Sequence, residues 1–103
     1  MKHIYTRLHL IECMDLWSEI DHCHTETGYW SFTEDQADSF IGCKLFLHKH
    51  QTSPAYRAGT IVTFRKQKGK PYPGKIVFRI QNDDTLIGTT TSGQGWSRWW
   101  KVE

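Results

Sequence analysis

From residue 43 onward, apolar and polar side chains alternate with a period of two residues, and this pattern constrains the fold more than any other feature. It is clearest in the segment KIVFRIQ at 75–81, where two isoleucines and a phenylalanine alternate with Val77, Arg79 and Gln81. A two-residue period places alternate side chains on opposite faces of a β-strand. The pattern predicts strands at 43–50, 60–67, 75–81 and 95–103, with a further short strand at 85–91.

The alternation also divides the side chains of the strand at 43–50 between two faces. Cys43, Leu45 and Leu47 lie on one face, and Lys44, Phe46, His48 and His50 lie on the other. Segments rich in turn-forming residues separate the strands, at 51–59, 68–74 and 82–84. Strands joined by such short connections pair in antiparallel fashion.

The first part of the chain predicts a strand followed by a helix. Alternation over 3–10 indicates the strand. Four apolar residues then recur at i, i+3, i+4 and i+7, which is one face of a helix and predicts a helix over 11–23. The four are Cys13, Leu16, Trp17 and Ile20.

A second helix is predicted over 34–41. Ser31 and Thr33 each have Glu or Gln three residues later, so either of them fits the cap of a capping box. Gly42 follows the last turn, where a left-handed residue commonly ends a helix. The fold class is therefore α+β, with two short helices in the N-terminal half and five or six antiparallel strands. Such strands must close or cover their edges, so we expect a small pseudo-β-barrel, with an open sheet covered by the helices as the alternative.

Length and composition indicate one globular domain spanning 1–103. No apolar run approaches the roughly 18 residues of a membrane span, and the N-terminus lacks an apolar signal core. We therefore expect a cytoplasmic protein without a membrane partner. Three cysteines, with no C-x-x-C pair, predict reduced thiols. The histidines and Cys23 show no recognised metal spacing, so neither a metal nor a cofactor is expected.

The net charge of +2 conceals a strong asymmetry between the two parts of the chain. Residues 1–43 carry two Lys or Arg and eight acids, whereas residues 44–103 carry eleven Lys or Arg and three acids. A basic sheet with interleaved aromatic residues is typical of nucleic-acid binders, although lysines on strands also serve solubility and edge protection. The predicted phosphate contacts are Lys44, Lys49, Arg65, Lys66, Lys68, Lys70, Lys75 and Arg79.

Five tryptophans in 103 residues are the second functional signal. Aromatic side chains beside cations stack on unpaired bases, and hydroxyl and guanidinium groups hydrogen-bond to base edges. The predicted base-pocket residues are Trp30, Ser31, Phe32, Thr33, Arg57, Trp96, Ser97, Trp99 and Trp100. Packing of the same aromatic residues in a small core is the alternative.

The order of elements around Tyr29-Trp30-Ser31-Phe32 resembles that of the PUA-like superfamily, which includes the ASCH, EVE and YTH domains. This resemblance implies a compact pseudo-barrel that binds RNA or modified bases through aromatic residues near its mouth. The chain lacks the GxKTxExR pattern of ASCH domains and the WxxKxEP opening of EVE domains. The resemblance therefore carries over only Trp30, Ser31 and Phe32, as base-pocket residues.

The sequence favours a nucleic-acid-binding domain, for RNA or DNA, without catalytic residues. One alternative is a protein-interaction or regulatory module that uses exposed tryptophans and an acidic helical face, since Trp, Tyr and Arg dominate interface hot spots. Another is a nucleoside-directed hydrolase with a reactive group among His22, Cys23 and His24. No hydrolase or nucleotide-loop motif is present in the sequence to support catalysis.

Overall fold

The computed structural model describes residues 5–103, which form seven strands, one α-helix and a short 3₁₀ helix. The strands are β1 (Arg7–Ile11), β2 (Ser18–Glu19), β3 (His24–Trp30), β4 (Lys44–His48), β5 (Arg57–Lys66), β6 (Ile76–Asn82) and β7 (Trp100–Val102). The helix α1 spans Glu34–Ser39 and the 3₁₀ helix spans Asp84–Leu86. None of the helices in this part of the chain is long and apolar enough to cross a membrane.

All seven strands belong to one sheet, in the order β2-β3-β6-β5-β4-β1-β7. Every pair is antiparallel except β1 with β4, which run parallel. The expected closed barrel is wrong, because the sheet stays open between β2 and β7. These two edge strands have only two and three residues, so each edge offers few backbone groups for a closing ladder.

The helix predicted over 11–23 is absent, and the segment forms an irregular loop that leads into β2. The buried carboxylate of Glu12 accepts hydrogen bonds from the backbone N–H groups of Met14, at 2.8 Å, and Leu16, at 3.5 Å. Asp15 adopts a positive φ of 55°, which interrupts a right-handed helix. The segment satisfies its backbone through a side chain, an alternative that periodicity does not register.

The second predicted helix is confirmed as α1. Thr33 is its N-cap, and a capping box links the Thr33 side chain with Gln36 in both directions. Gly42 has a φ of +93°, the left-handed conformation expected after the last turn. Ala37 and Phe40 pack α1 onto the face of the sheet that carries Leu45, Leu47 and Phe78. This face, here called the first face, holds the main apolar core.

The second face of the sheet, which carries Phe46 and His48 of β4, is also partly buried. Both of these side chains are 0% exposed. The connection after β6 crosses this face. It places Leu86 on the cluster around Phe46, and it places Trp96 against the ring of His48. Segment 85–91 is therefore a covering loop that starts with the 3₁₀ helix, and the last strand begins only at Trp100.

Candidate nucleic-acid interface

The ends of β5 and β6, with the loop between them, form a basic hairpin at residues 65–79. This stretch carries six Lys or Arg side chains and no acid. Its cations are Arg65, Lys66, Lys68 and Lys70, which are exposed, and Lys75 and Arg79, which are half-buried. Six of the eight predicted phosphate contacts therefore lie on one continuous element.

The loop of the basic hairpin is held by its own backbone. Gln67 donates to the carbonyl of Lys75 at 2.8 Å and accepts from the N–H of Gly74 at 2.7 Å. Gly74 has a φ of +84°, which a side chain would strain. The Gln67 side chain also donates to the carbonyl of Lys70, at 3.3 Å. These bonds define the path of the loop and leave Lys66, Lys68 and Lys70 exposed to solvent.

One carboxylate organises the two arginines of the basic hairpin. Glu26 lies opposite Arg79 in the β3–β6 ladder and pairs with Arg79 at 3.1 Å and Arg65 at 3.3 Å. Each of these contacts uses only one N–H group of its guanidinium, and a guanidinium has five. No acid in residues 5–103 is paired with Lys66, Lys68 or Lys70. The hairpin therefore retains most of its positive charge.

A pair of tyrosines lies beside these cations. The rings of Tyr29 and Tyr72 are 5.1 Å apart, and Tyr72 is 44% exposed. Nearby, the ammonium group of Lys75 donates to Ser31 at 2.6 Å, so Ser31 lies at the base of the hairpin. Neither tyrosine was predicted to be a site residue from the sequence. The position of Tyr72 between two prolines in a turn was the available signal, because such a residue is displayed at the surface.

The other two predicted phosphate contacts lie elsewhere. Lys44, on the second face of the sheet, donates to Thr60 at 2.7 Å. Lys49 follows β4 and pairs with Asp15 at 2.8 Å, with its ammonium group 4.5 Å from the centre of the Tyr56 ring. Neither side chain belongs to the basic hairpin.

The predicted base-pocket residues occupy several separate places. Four of them form a packed aromatic cluster, in which Trp30 stacks on Trp99 at 5.4 Å and Phe32 lies 5.2 Å from both Trp99 and Trp100. Trp30 and Phe32 are only 7% and 8% exposed. Ring-to-ring packing occupies their faces, so this cluster serves as the end of the apolar core. Thr33 is occupied as the cap of α1.

Trp96 lies apart from this aromatic cluster, on the second face of the sheet, against a buried series of hydrogen-bonded polar side chains. His9 contacts His48 at 2.8 Å and Glu103 at 2.7 Å, and His48 Nδ1 donates to the carbonyl of Ser53 at 2.8 Å. Trp96 presents its ring edge-on to both imidazoles. Burial lowers the pKa of His9 and of His48, and Glu103 opposes both shifts. These hydrogen bonds link β4 and β1 to Glu103, the residue that follows β7.

Ser97 is exposed and bridges to Trp100 through backbone hydrogen bonds. Arg57 lies at the start of β5, over the indole of Trp17. Its guanidinium lines a cleft of about 450 Å³, together with His22 and Cys23. In the described part of the chain no three His, Cys, Asp or Glu side chains are grouped to hold a metal ion.

Comparison of the chain with known protein families, with curated proteins and with solved structures finds no match. The chemistry of these surfaces is therefore the basis for inferring the function.

Proposed function

We propose that this protein is a nucleic-acid-binding domain whose basic hairpin, residues 65–79, contacts the phosphate backbone. The observation that carries the proposal is the accumulation of six cations without an acid on one surface element. Positive charge concentrated on one element is the electrostatic footprint of nucleic-acid binding, because each phosphate contact releases condensed counterions.

The tyrosines favour a nucleic acid over a merely acidic protein partner. Tyr72 is exposed, lies between Lys70 and Lys75 in the loop sequence, and has its ring 5.1 Å from that of Tyr29. A base stacked on an aromatic ring gains about 1–3 kcal/mol, and the gain does not depend strongly on sequence. The Tyr29–Tyr72 pair thus supplies the base contact that was predicted for the tryptophans. Nothing in this arrangement requires catalytic residues or a cofactor.

Membership of the PUA-like superfamily stays a prediction, as does a cytoplasmic location. The strand-rich domain is compatible with the resemblance, whereas the open sheet and the single α-helix depart from the expected pseudo-barrel. The proposal therefore rests on the hairpin and not on the family.

The test compares two double variants that lower the net charge equally. Lys66→Gln with Lys68→Gln removes two hairpin charges, and Lys49→Gln with Arg98→Gln removes two charges elsewhere. Binding of labelled single-stranded and duplex RNA and DNA is measured over a range of salt concentrations. We expect the hairpin variant alone to lose about 1.4 units of log–log salt slope for single strands, or about 1.8 for a duplex.

Equal slopes for the two double variants would contradict the proposal, as would the absence of binding by the wild-type protein to all four nucleic acids. Far-UV circular dichroism establishes that each variant is folded. Tyr72→Leu then tests stacking. We expect it to weaken binding without changing the salt slope, because it removes an aromatic ring and no charge.

A protein-interaction module is the second candidate, favoured by apolar side chains exposed in and next to the loop before β2. Met14, Leu16 and Ile20 are 67%, 37% and 42% exposed. The acidic helical face expected from the sequence is absent, and the tryptophans are half-buried or buried. Purification of a stoichiometric protein complex that Met14→Ser with Leu16→Ser abolishes would support this candidate.

A further inference from the structure

The cleft at the start of β5 is built from polar side chains that hold each other in place. Arg57 Nη1 donates to Thr25 Oγ1 at 3.2 Å, and Thr25 Oγ1 donates in turn to Asn82 Oδ1 at 2.7 Å. The guanidinium carbon lies 3.9 Å from the centre of the Trp17 ring, which fixes the guanidinium plane. Thr25 belongs to β3 and is fully buried, so it anchors this series of hydrogen bonds in the sheet.

The hydrogen bonds between Arg57, Thr25 and Asn82 leave other donors of these side chains available in the cleft. Because Asn82 accepts through Oδ1, its Nδ2 amino group is left for another partner. Arg57 Nη2 has only a long contact of 3.5 Å with Glu19 Oε1. A hydrogen bond to a charged group contributes about 1.5–3 kcal/mol, so a ligand that supplies a better-placed acceptor to Nη2 is favoured.

The charges that line the cleft argue against an anionic ligand. Arg57 supplies one positive charge, whereas Glu19 and Asp84 supply two negative charges. A phosphate or carboxylate would therefore meet net repulsion. A neutral molecule that both accepts from Arg57 and donates to Glu19 satisfies both groups. The volume of about 450 Å³ is in the range of small-molecule sites.

We propose that this cleft binds a guanine base. A donor, Arg57 Nη2, and an acceptor, Glu19 Oε1, lie side by side at 3.5 Å. The Watson–Crick edge of guanine presents the complementary pair, since O6 accepts hydrogen bonds and the adjacent N1–H and 2-amino groups donate them. Adenine can also place a donor, its 6-amino group, on Glu19 and an acceptor, N1, on Arg57. Guanine differs because its adjacent N1–H and 2-amino groups can donate to both carboxylate oxygens of Glu19.

The guanine proposal depends on the proposed function only for the source of the base, which would be one nucleotide of a bound strand. The nine residue steps of β5, at roughly 3.3 Å each, put roughly 30 Å between Arg57 in the cleft and Lys66 in the basic hairpin. The Lys66→Gln, Lys68→Gln variant therefore leaves the cleft intact, and the two proposals fail independently.

The test uses guanosine, inosine and adenosine, which carry no phosphate, in calorimetric titrations of the full chain. We expect saturable binding of guanosine, weaker binding of inosine, which lacks the 2-amino group, and the weakest binding of adenosine. Glu19→Gln should lower the guanosine affinity about tenfold and reduce the difference between guanosine and inosine. Glu19 is 60% exposed, so this variant should fold. Glu34→Gln removes an exposed acid elsewhere and is the matched control.

Three results would overturn the guanine assignment. These are no saturable binding of guanosine by the folded wild-type protein, equal affinities for the three nucleosides, and guanosine binding that Glu19→Gln leaves unchanged. Retention of guanosine binding by the Lys66→Gln, Lys68→Gln variant would support the independence of the two sites. If guanosine fails to bind while nucleic acid binds with the expected salt dependence, only the guanine cleft is wrong.

Discussion

Gly59 in β5 gives the sharpest test of the strand packing, because its backbone lies directly against β6. A Cβ atom at this position would overlap the carbonyl oxygen of Gln81 and lie 2.9 Å from the carbonyl carbon. The obstacle is backbone, which cannot rotate away as a side chain can. Gly59→Ala therefore requires β5 and β6 to separate where Gly59 faces Asn82.

The expected cost follows from two contributions. Overpacking of a well-filled site costs about 1–3 kcal/mol. Separation of the strands also weakens nearby backbone hydrogen bonds, including that from Asp83 to Ala58, and a buried group left unpaired costs about 1–3 kcal/mol. We expect a loss of at least about 3 kcal/mol in the free energy of unfolding. For a domain of this size, that loss lowers the Tm by roughly 12 °C or more.

Guanidinium-induced unfolding, followed by far-UV circular dichroism, measures this change. Gly69→Ala, in the loop that joins the same two strands, is the control, since a Cβ there has no atom within 4 Å and Gly69 does not need a positive φ. Alanine at residue 69 should be neutral or stabilise by up to about 1 kcal/mol. A Gly59→Ala variant within about 0.5 kcal/mol of the wild type would refute the close approach of the two strands.

Two further predictions concern charge. Burial lowers the pKa of His48, whose neutral form donates from Nδ1 to the carbonyl of Ser53, so this form contributes stability above about pH 6.5 that is lost as the pH falls through its folded pKa. Unfolding free energies between pH 5 and 8 should fall on acidification by up to about 1.4 kcal/mol per pH unit, and His48→Gln should reduce that slope; a flat profile would contradict it. Glu26→Gln should strengthen nucleic-acid binding and steepen its salt dependence, because it frees Arg65 and Arg79, and weaker binding in a filter or anisotropy assay would count against the role of the hairpin.

Local patterns in the sequence predicted the elements whose signals lie within a few residues. Thr33 and Gln36 cap α1 as expected, and strands were correctly predicted around β4, β5 and β6. The concentration of cations in 65–79 is likewise a local property, because charge along a hairpin depends only on the order of its residues. The predicted length of β7 was wrong, since only three residues of 95–103 find a partner in β1.

Contacts between distant residues decided the rest. The loop at 12–17 could not be distinguished from a helix, because the buried Glu12 carboxylate takes the place of helical hydrogen bonds. Phe46 and His48 are buried only because the segment after β6 folds back over them. Arg57, Asn82 and Glu19 are likewise far apart in the sequence. They line one cleft only because the start of β5 and the ends of β6 and β2 lie close together in the folded sheet.

Periodicity, capping and local charge are properties of neighbouring residues, so the order of amino acids was enough to predict a strand-rich domain, the capped helix α1 and the positive charge of the C-terminal strands. Three features required the folded chain: the open sheet, the packing of the tryptophans mainly against each other and the histidines, and the polar cleft around Arg57. Each of these depends on which strands pair and which loop covers which face. Those choices are set by the total burial of apolar groups and the satisfaction of buried polar groups across the whole chain.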